Sequence, residues 1–239
     1  LITFALIIAV AGSGFWLVHY FIDSREQKET YETLAEEFVL ESTPTPESTT
    51  PAENSSPTEN SSEPAESVSL TTATPRHDLA ALAAENPDCV GWLTIPDTGI
   101  DYPVMHTPND PEHYLRRDFY GESASGGTPF LDGRNLAEAE NQNLILYGHN
   151  MMDGSMFKPI VQCLEPSFRQ THRDIYLELN STQYHYQVIA ALETNTRSPV
   201  YTYTDLSGAA EMEDFRAALL EETGVGAIPQ AEGYLTLST

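Results

Sequence analysis

Residues 143–157, NLILYGHNMMDGSMF, hold the chain's best candidate for proton chemistry. The apolar run Leu144-Ile145-Leu146-Tyr147 reads as a buried strand, and it drives into Gly148 and His149. A histidine there fits two roles. It can cap the strand and bond a neighbour, or it can be half of a catalytic pair, because imidazole changes charge near neutral pH. Other constellations are absent: no GxSxG, HExxH, GxxxxGKS/T or GxGxxG occurs. The seven histidines form no HxH or i, i+4 pair, which argues against zinc, and no EF-hand-type loop calls for calcium. No metal or cofactor is expected. Cys89 and Cys163 are too far apart for a CxxC site and admit one disulfide or two free thiols.

Presenting His149 from a strand end requires a sheet around it. The folded region runs from residue 76 to 239 and opens with a helix, HDLAALAAEN, stopped at Asn86-Pro87. Strands are expected over 90–95, 100–105, 128–131, 143–147, 175–179, 183–192 and 234–237, with a turn at Asp97-Thr98-Gly99. Helical patches are expected over 155–164 and 207–222. Many short strands with few helices predict a mainly β fold, a closed or nearly closed barrel decorated by helices.

Two segments precede that domain. Residues 1–22, LITFALIIAVAGSGFWLVHYFI, lack Asp, Glu, Lys and Arg and are long enough to cross a bilayer as a helix. A cleaved leader ending near Ala9-Val10-Ala11 is the rival, but a further apolar stretch over 15–22 favours a signal anchor. Residues 23–75 are acidic, with a short helix expected over 26–40 and a Pro/Ser/Thr/Glu-rich spacer after it. The spacer is expected to lift the domain off the membrane. Over the 239 residues, 11 basic side chains face 36 acidic ones, a net charge of −25, which argues against nucleic-acid binding.

Four segments occur in order: NPDCVGWLTIPDTGIDYPVM (86–105), SGGTPFLDGRN (125–135), YGHNMMDGSMF (147–157) and YLTLST (234–239). Together they resemble class B sortases, the membrane-anchored cysteine transpeptidases of Gram-positive bacteria. The resemblance implies a sortase-like β-barrel with an N-terminal helix, and a helical insertion before the penultimate strand that is met by 207–222. It assigns the catalytic histidine to His149. It puts the nucleophilic cysteine directly after Thr-Leu-Ser-Thr, here Thr236 to Thr239, with an arginine on the strand beyond, so the barrel's last strand is expected to be missing from this chain. Neither Cys89 nor Cys163 matches that cysteine. The chain to Thr239 is therefore expected to be an inactive fragment.

The resemblance further implies cleavage after the threonine of an Asn-Pro-x-Thr-like sorting signal on surface proteins. A thioacyl enzyme would then pass the protein to an amine of a peptidoglycan precursor, on the outer face of the cell membrane. Tyr201 matches a substrate-contacting tyrosine, Thr196 and Ser198 are candidates for a hydroxyl before it, and Ser238 is a candidate pocket residue. Arg116-Arg117 makes the 112–122 region locally basic. Two other functions stay open: a non-catalytic stalked domain that binds peptides, and a pilin-polymerising class C sortase, disfavoured because no Asp-Pro-aromatic lid appears.

Overall fold

The computed structural model describes residues 2–40 and 71–239; the side chains of residues 2–13 and of Trp16 are not among those described. Eight strands form one sheet: β1 (Thr71–Ala73), β2 (Cys89–Ile95), β3 (Ile100–Met105), β4 (Phe130–Leu131), β5 (Asn143–Tyr147), β6 (Asp174–Leu179), β7 (Thr182–Gln187) and β8 (Tyr234–Ser238). Their order is β1-β7-β6-β2-β3-β4-β5-β8. The fold is mainly β, as expected, but the sheet is open. β1 and β8 are its edges, and no strand among the described residues joins them into the expected barrel.

The centre of the sheet follows from local chemistry. Asp97 and Gly99 take left-handed φ of 61° and 76°, and Thr98 Oγ1 donates to Ile95 O at 2.7 Å, so the β2–β3 connection reverses tightly. Gly91 lets β2 lie against β6, since a side chain there would begin 2.3 Å from Glu178 O. Trp92, Leu93, Val104, Met105, Leu144, Leu146 and Leu177 are fully buried and form the main core. β5 reads as an unbroken apolar run because it runs parallel to β8 and antiparallel to β4 inside the sheet.

Among the described residues five α-helices flank this sheet: α1 (Ile2–Glu37), α2 (Leu79–Glu85), α3 (Lys158–Gln162), α4 (Pro166–Thr171) and α5 (Ala209–Thr223). α5 is the insertion before β8. Its Met212 and Phe215 pack with Val200, Leu206, Ile228 and Tyr234 in a second small core, so the insertion is fastened to the start of β8. The helix expected over 155–164 shrinks to α3, because Met156 takes a left-handed φ of 55° that no helix start accepts. The strand expected over 183–192 ends at Gln187; beyond it Val188 N makes one bond to Arg173 O.

The N-terminal region departs most from expectation. α1 runs without a break past residue 26, and Tyr31 and Leu34 are 2% and 1% exposed within the main core. Gln27 Nε2 and Tyr31 Oη both donate to Gly127 O, at 2.6 and 2.9 Å. Residues 24–38 are thus part of the domain rather than of a stalk. The segment after them begins and returns at one place: Val39 pairs with His77, Leu40 N donates to Arg76 O at 2.8 Å, and Asp78 N donates to Phe38 O at 2.7 Å. The two flanks of the segment expected to be a spacer therefore lie side by side. Residues 41–70 themselves lie outside the described residues. Among the described residues no helix is long and apolar enough to cross a membrane, and the anchor expected over 1–22 falls largely on side chains outside them.

Candidate active site

His149 leaves β5 two residues after Tyr147, and its position is set by packing beneath it. A side chain at Gly148 would begin 2.7 Å from the ring of Phe157, so glycine lets that buried ring fill the space under the strand end. Phe157 N donates to His149 O at 2.8 Å, and Asn150 bridges to Met156, closing the 149–157 loop on itself. The His149 imidazole is half-buried and has no hydrogen-bond partner among the described residues. Burial, and then the positive charge of Arg116, hold its pKa below the usual histidine value. Arg116 ends a 3₁₀ turn, His113–Arg116, whose Leu115 also faces the cleft.

β8 runs beside β5 in parallel, with Asn143 opposite Tyr234 and Tyr147 opposite Ser238. The pair is tied at its start by Thr236 Oγ1 donating to Asn143 Oδ1 at 2.7 Å. At its end Gly148 N donates to Ser238 O at 3.0 Å. Asn143 is fully buried and also donates to Tyr203 O at 3.0 Å, which brings the Tyr201 turn, Pro199–Tyr201, against the same strand pair. Tyr201 Oη then lies 3.1 Å from Ser238 Oγ.

Two clefts of about 410 Å³ each share Tyr147 and Ser238 as a common wall. The first contains His149, Asn150, Asp132, Leu115 and Thr239. The second contains Arg134, Thr196, Arg197, Ser198, Tyr201 and Thr202. The residues singled out in the sequence thus fall on one continuous surface: His149 in one cleft, Thr196, Ser198 and Tyr201 in the other, and Ser238 between. Ser198 differs from the rest. Its hydroxyl donates to Glu222 Oε2 of α5 at 2.6 Å and accepts from Val200 N at 3.3 Å, so it is committed to holding the turn.

Both thiols are free and line neither cleft. Cys89 is buried in β2, where burial pushes its pKa up to about 12, and Cys163 caps α3 with its pKa also raised by burial. A thiol with raised pKa is a poor nucleophile. No cluster of three or more His, Cys, Asp or Glu side chains able to hold a metal occurs among the described residues.

Sequence reasoning missed the Asp132–Arg134 pair beside the wall between the clefts. Asp132 is 8% exposed and accepts from Tyr147 Oη at 2.9 Å, from Arg134 Nε at 2.8 Å and from an Arg134 terminal nitrogen at 2.7 Å. Burial opposes ionisation of Asp132, but the Arg134 and Tyr147 hydrogen bonds with the Arg134 charge outweigh it and hold the carboxyl below the usual carboxylate range. Tyr147 is shifted the other way, by burial and by donating to a carboxylate. One signal was present: Asp-x-Arg, in which Asp132 Oδ1 accepts from Arg134 N at 2.9 Å, is an Asx turn. A chain of net charge −25 gathers Arg116, Arg134 and Arg197 about these clefts.

Comparison with known proteins points to one family. A family model described as Sortase domain matches residues 93–239. Sortase B of Listeria monocytogenes is 35% identical over 167 residues, covering 69% of this chain and 67% of that protein. The solved structure of a Staphylococcus aureus sortase B–substrate complex superposes with TM-score 0.60 at 28% identity, over 67% of this chain and 76% of that one. Sortase B from Bacillus anthracis superposes with TM-score 0.64 at 25% identity, over 92% of both chains.

Proposed function

Because the chain belongs to the sortase family of cysteine transpeptidases, we propose that it is the catalytic region of a class B sortase that joins sorted surface proteins to a cell-wall amine. The observation that carries this reading is the register of β5 and β8. Tyr147 stands opposite Ser238, so a residue following Thr239 would stand in step with His149. By the family pattern that residue is the cysteine.

The chemistry then divides among named groups. The thiolate attacks the carbonyl carbon of the threonine in an Asn-Pro-x-Thr-like signal. The peptide C–N bond breaks, His149 gives its proton to the departing amine, and a thioester remains. An incoming amine attacks that thioester, passing its proton back to His149, and the sulfur leaves as thiolate. In the cleft as it stands, burial and Arg116 favour the neutral imidazole; a thiolate beside it would pull toward imidazolium. The peptide would lie along the two clefts, with Tyr201 and Thr196 contacting it and Ser198 holding the Tyr201 turn. The similarity to a Staphylococcus aureus sortase B–substrate complex supports a peptide substrate for this chain. The apolar run 1–22 supports anchorage in the cell membrane, and a role on surface proteins would put the domain on its outer face.

The test is to express the whole open reading frame and supply an Asn-Pro-x-Thr peptide with an amine acceptor, reading adducts by mass spectrometry. A thioester and a transferred product are expected, and His149→Ala should cut turnover by about 10²–10⁴-fold. Turnover that survives His149→Ala, or a thiol-bearing protein that binds the peptide without forming a thioester, would sink the proposal. The second result would favour a peptide-binding domain.

A further inference from the structure

α1 does more than lead into the domain; it grips the loop that follows His149. Tyr20 Oη accepts from Met152 N at 3.2 Å, and Ser24 Oγ donates to Asp153 Oδ2. Asp23 accepts from Ser125 N at 3.1 Å, and Gln27 Oε1 accepts from Gly126 N at 3.3 Å. The first of these bonds is made inside the apolar run 1–22, and the next begin at the first charged residue beyond it.

The helix is continuous through that boundary, from Ile2 to Glu37. At 1.5 Å per residue, 22 residues span roughly 33 Å, close to the hydrocarbon thickness of about 30 Å. Tyr20 therefore sits at the level where such a run emerges, the depth aromatic side chains favour. The loop held by Tyr20 sits there too. Its Met152 side chain is 69% exposed, and next to Tyr20 the helix leaves Phe21 and Ile22 half exposed. These apolar side chains are left partly uncovered by the domain.

We propose that the 151–154 loop rests on the bilayer surface, with Met152 entering the lipid interface, so that the His149 cleft works within reach of the membrane plane. This rests on the anchorage proposed above. The occupant is the lipid surface itself, argued from the continuity of Met152, Phe21 and Ile22 with the apolar run on one unbroken helix.

The experiment uses the full chain in nanodiscs whose acyl chains carry bromine near the headgroup, a short-range quencher of tryptophan. The native Trp16 reports whether the helix is inserted. A Met152→Trp, Trp16→Phe protein reports the loop, with Trp92, fully buried in the sheet, as a constant background. The expected result is loss of most emission from both reporters relative to unbrominated lipid. Quenching of Trp16 without quenching of the Met152→Trp reporter would overturn the loop's lipid contact and leave the anchor standing. No quenching of either would overturn both. Met152 is exposed, so the substitution enters without repacking the core, and near-ultraviolet circular dichroism checks that the fold is kept.

Discussion

Tyr147 donates its hydroxyl to Asp132 at 2.9 Å while its backbone stands opposite Ser238, so a single residue joins the carboxylate wall to the last strand beside His149. Removing that hydroxyl with Tyr147→Phe leaves Asp132 its Arg134 partners, and the expected cost is about 0.5–1.5 kcal/mol. Asp132→Ala strands both Tyr147 and Arg134 and should cost about 1–3 kcal/mol. Urea unfolding of the singles and the double gives the coupling energy. A coupling of zero would mean that the pair does not act as a unit.

Gly148→Ala puts a methyl carbon 2.7 Å from the Phe157 ring, which cannot retreat because it is fully buried. Overpacking of this kind costs about 1–3 kcal/mol. A Phe157→Leu change in the same chain should recover part of the loss by vacating the space. Absence of any recovery would show that the ring is not the obstacle.

Tyr201→Phe removes the bond to Ser238, a partly buried hydroxyl pair whose loss should lower stability by no more than about 1 kcal/mol. Peptide binding is the sharper readout. If Tyr201 contacts the sorting signal, affinity measured by calorimetry falls in Tyr201→Phe and Tyr201→Ala alike, whereas Ser198→Ala acts mainly through stability, since its hydroxyl is spent on Glu222. Equal peptide affinity in wild type and Tyr201→Ala would remove Tyr201 from the groove.

Leu34→Ala tests whether α1 belongs to the domain. Leu34 is 1% exposed in the main core, and truncating such a side chain costs about 2–5 kcal/mol. A melting temperature unchanged by Leu34→Ala would mean the helix does not dock.

Acid should weaken the fold in two stages. Burial lowers the pKa of His149 and of His106, whose Nε2 is buried without a partner. Above the unfolded histidine value of about 6.5 both states are neutral and pH has no leverage. Below it the unfolded chain takes up protons that the folded chain resists, so stability falls until the folded values are passed. Asp132 adds stability that is present above the unfolded carboxylate value of about 3.9 and is lost as pH falls through its lower folded value. Urea midpoints followed from pH 8 downward should stay level and then decline below about 6.5. His106→Gln with His149→Gln should flatten the first decline, and an unchanged slope would assign it elsewhere.

Much of the scaffold was legible because it is written locally. The apolar run 143–147 coincides with β5, Asp97-Thr98-Gly99 marks the β2–β3 turn, and 207–222 overlaps α5 closely. Where local signals misled, a backbone detail intervened, as at Met156, whose left-handed φ cuts short a helix that its apolar neighbours would allow. The acidic composition of 23–40 likewise suggested a stalk, although Gln27, Tyr31 and Leu34 lie on the face that the domain covers.

Residue order alone therefore determined that His149 follows directly on a buried strand, that the chain is mainly β, and that its motifs are those of a sortase. Tertiary structure alone decided that Asp132 and Arg134 form the wall beside His149, that Ser198 serves Glu222, and that α1 holds the 151–154 loop. The reason is physical. Periodicity along a chain says which face of an element is covered, but the register and parallel sense of β5 and β8, and the docking of a helix across the chain, choose which side chains meet.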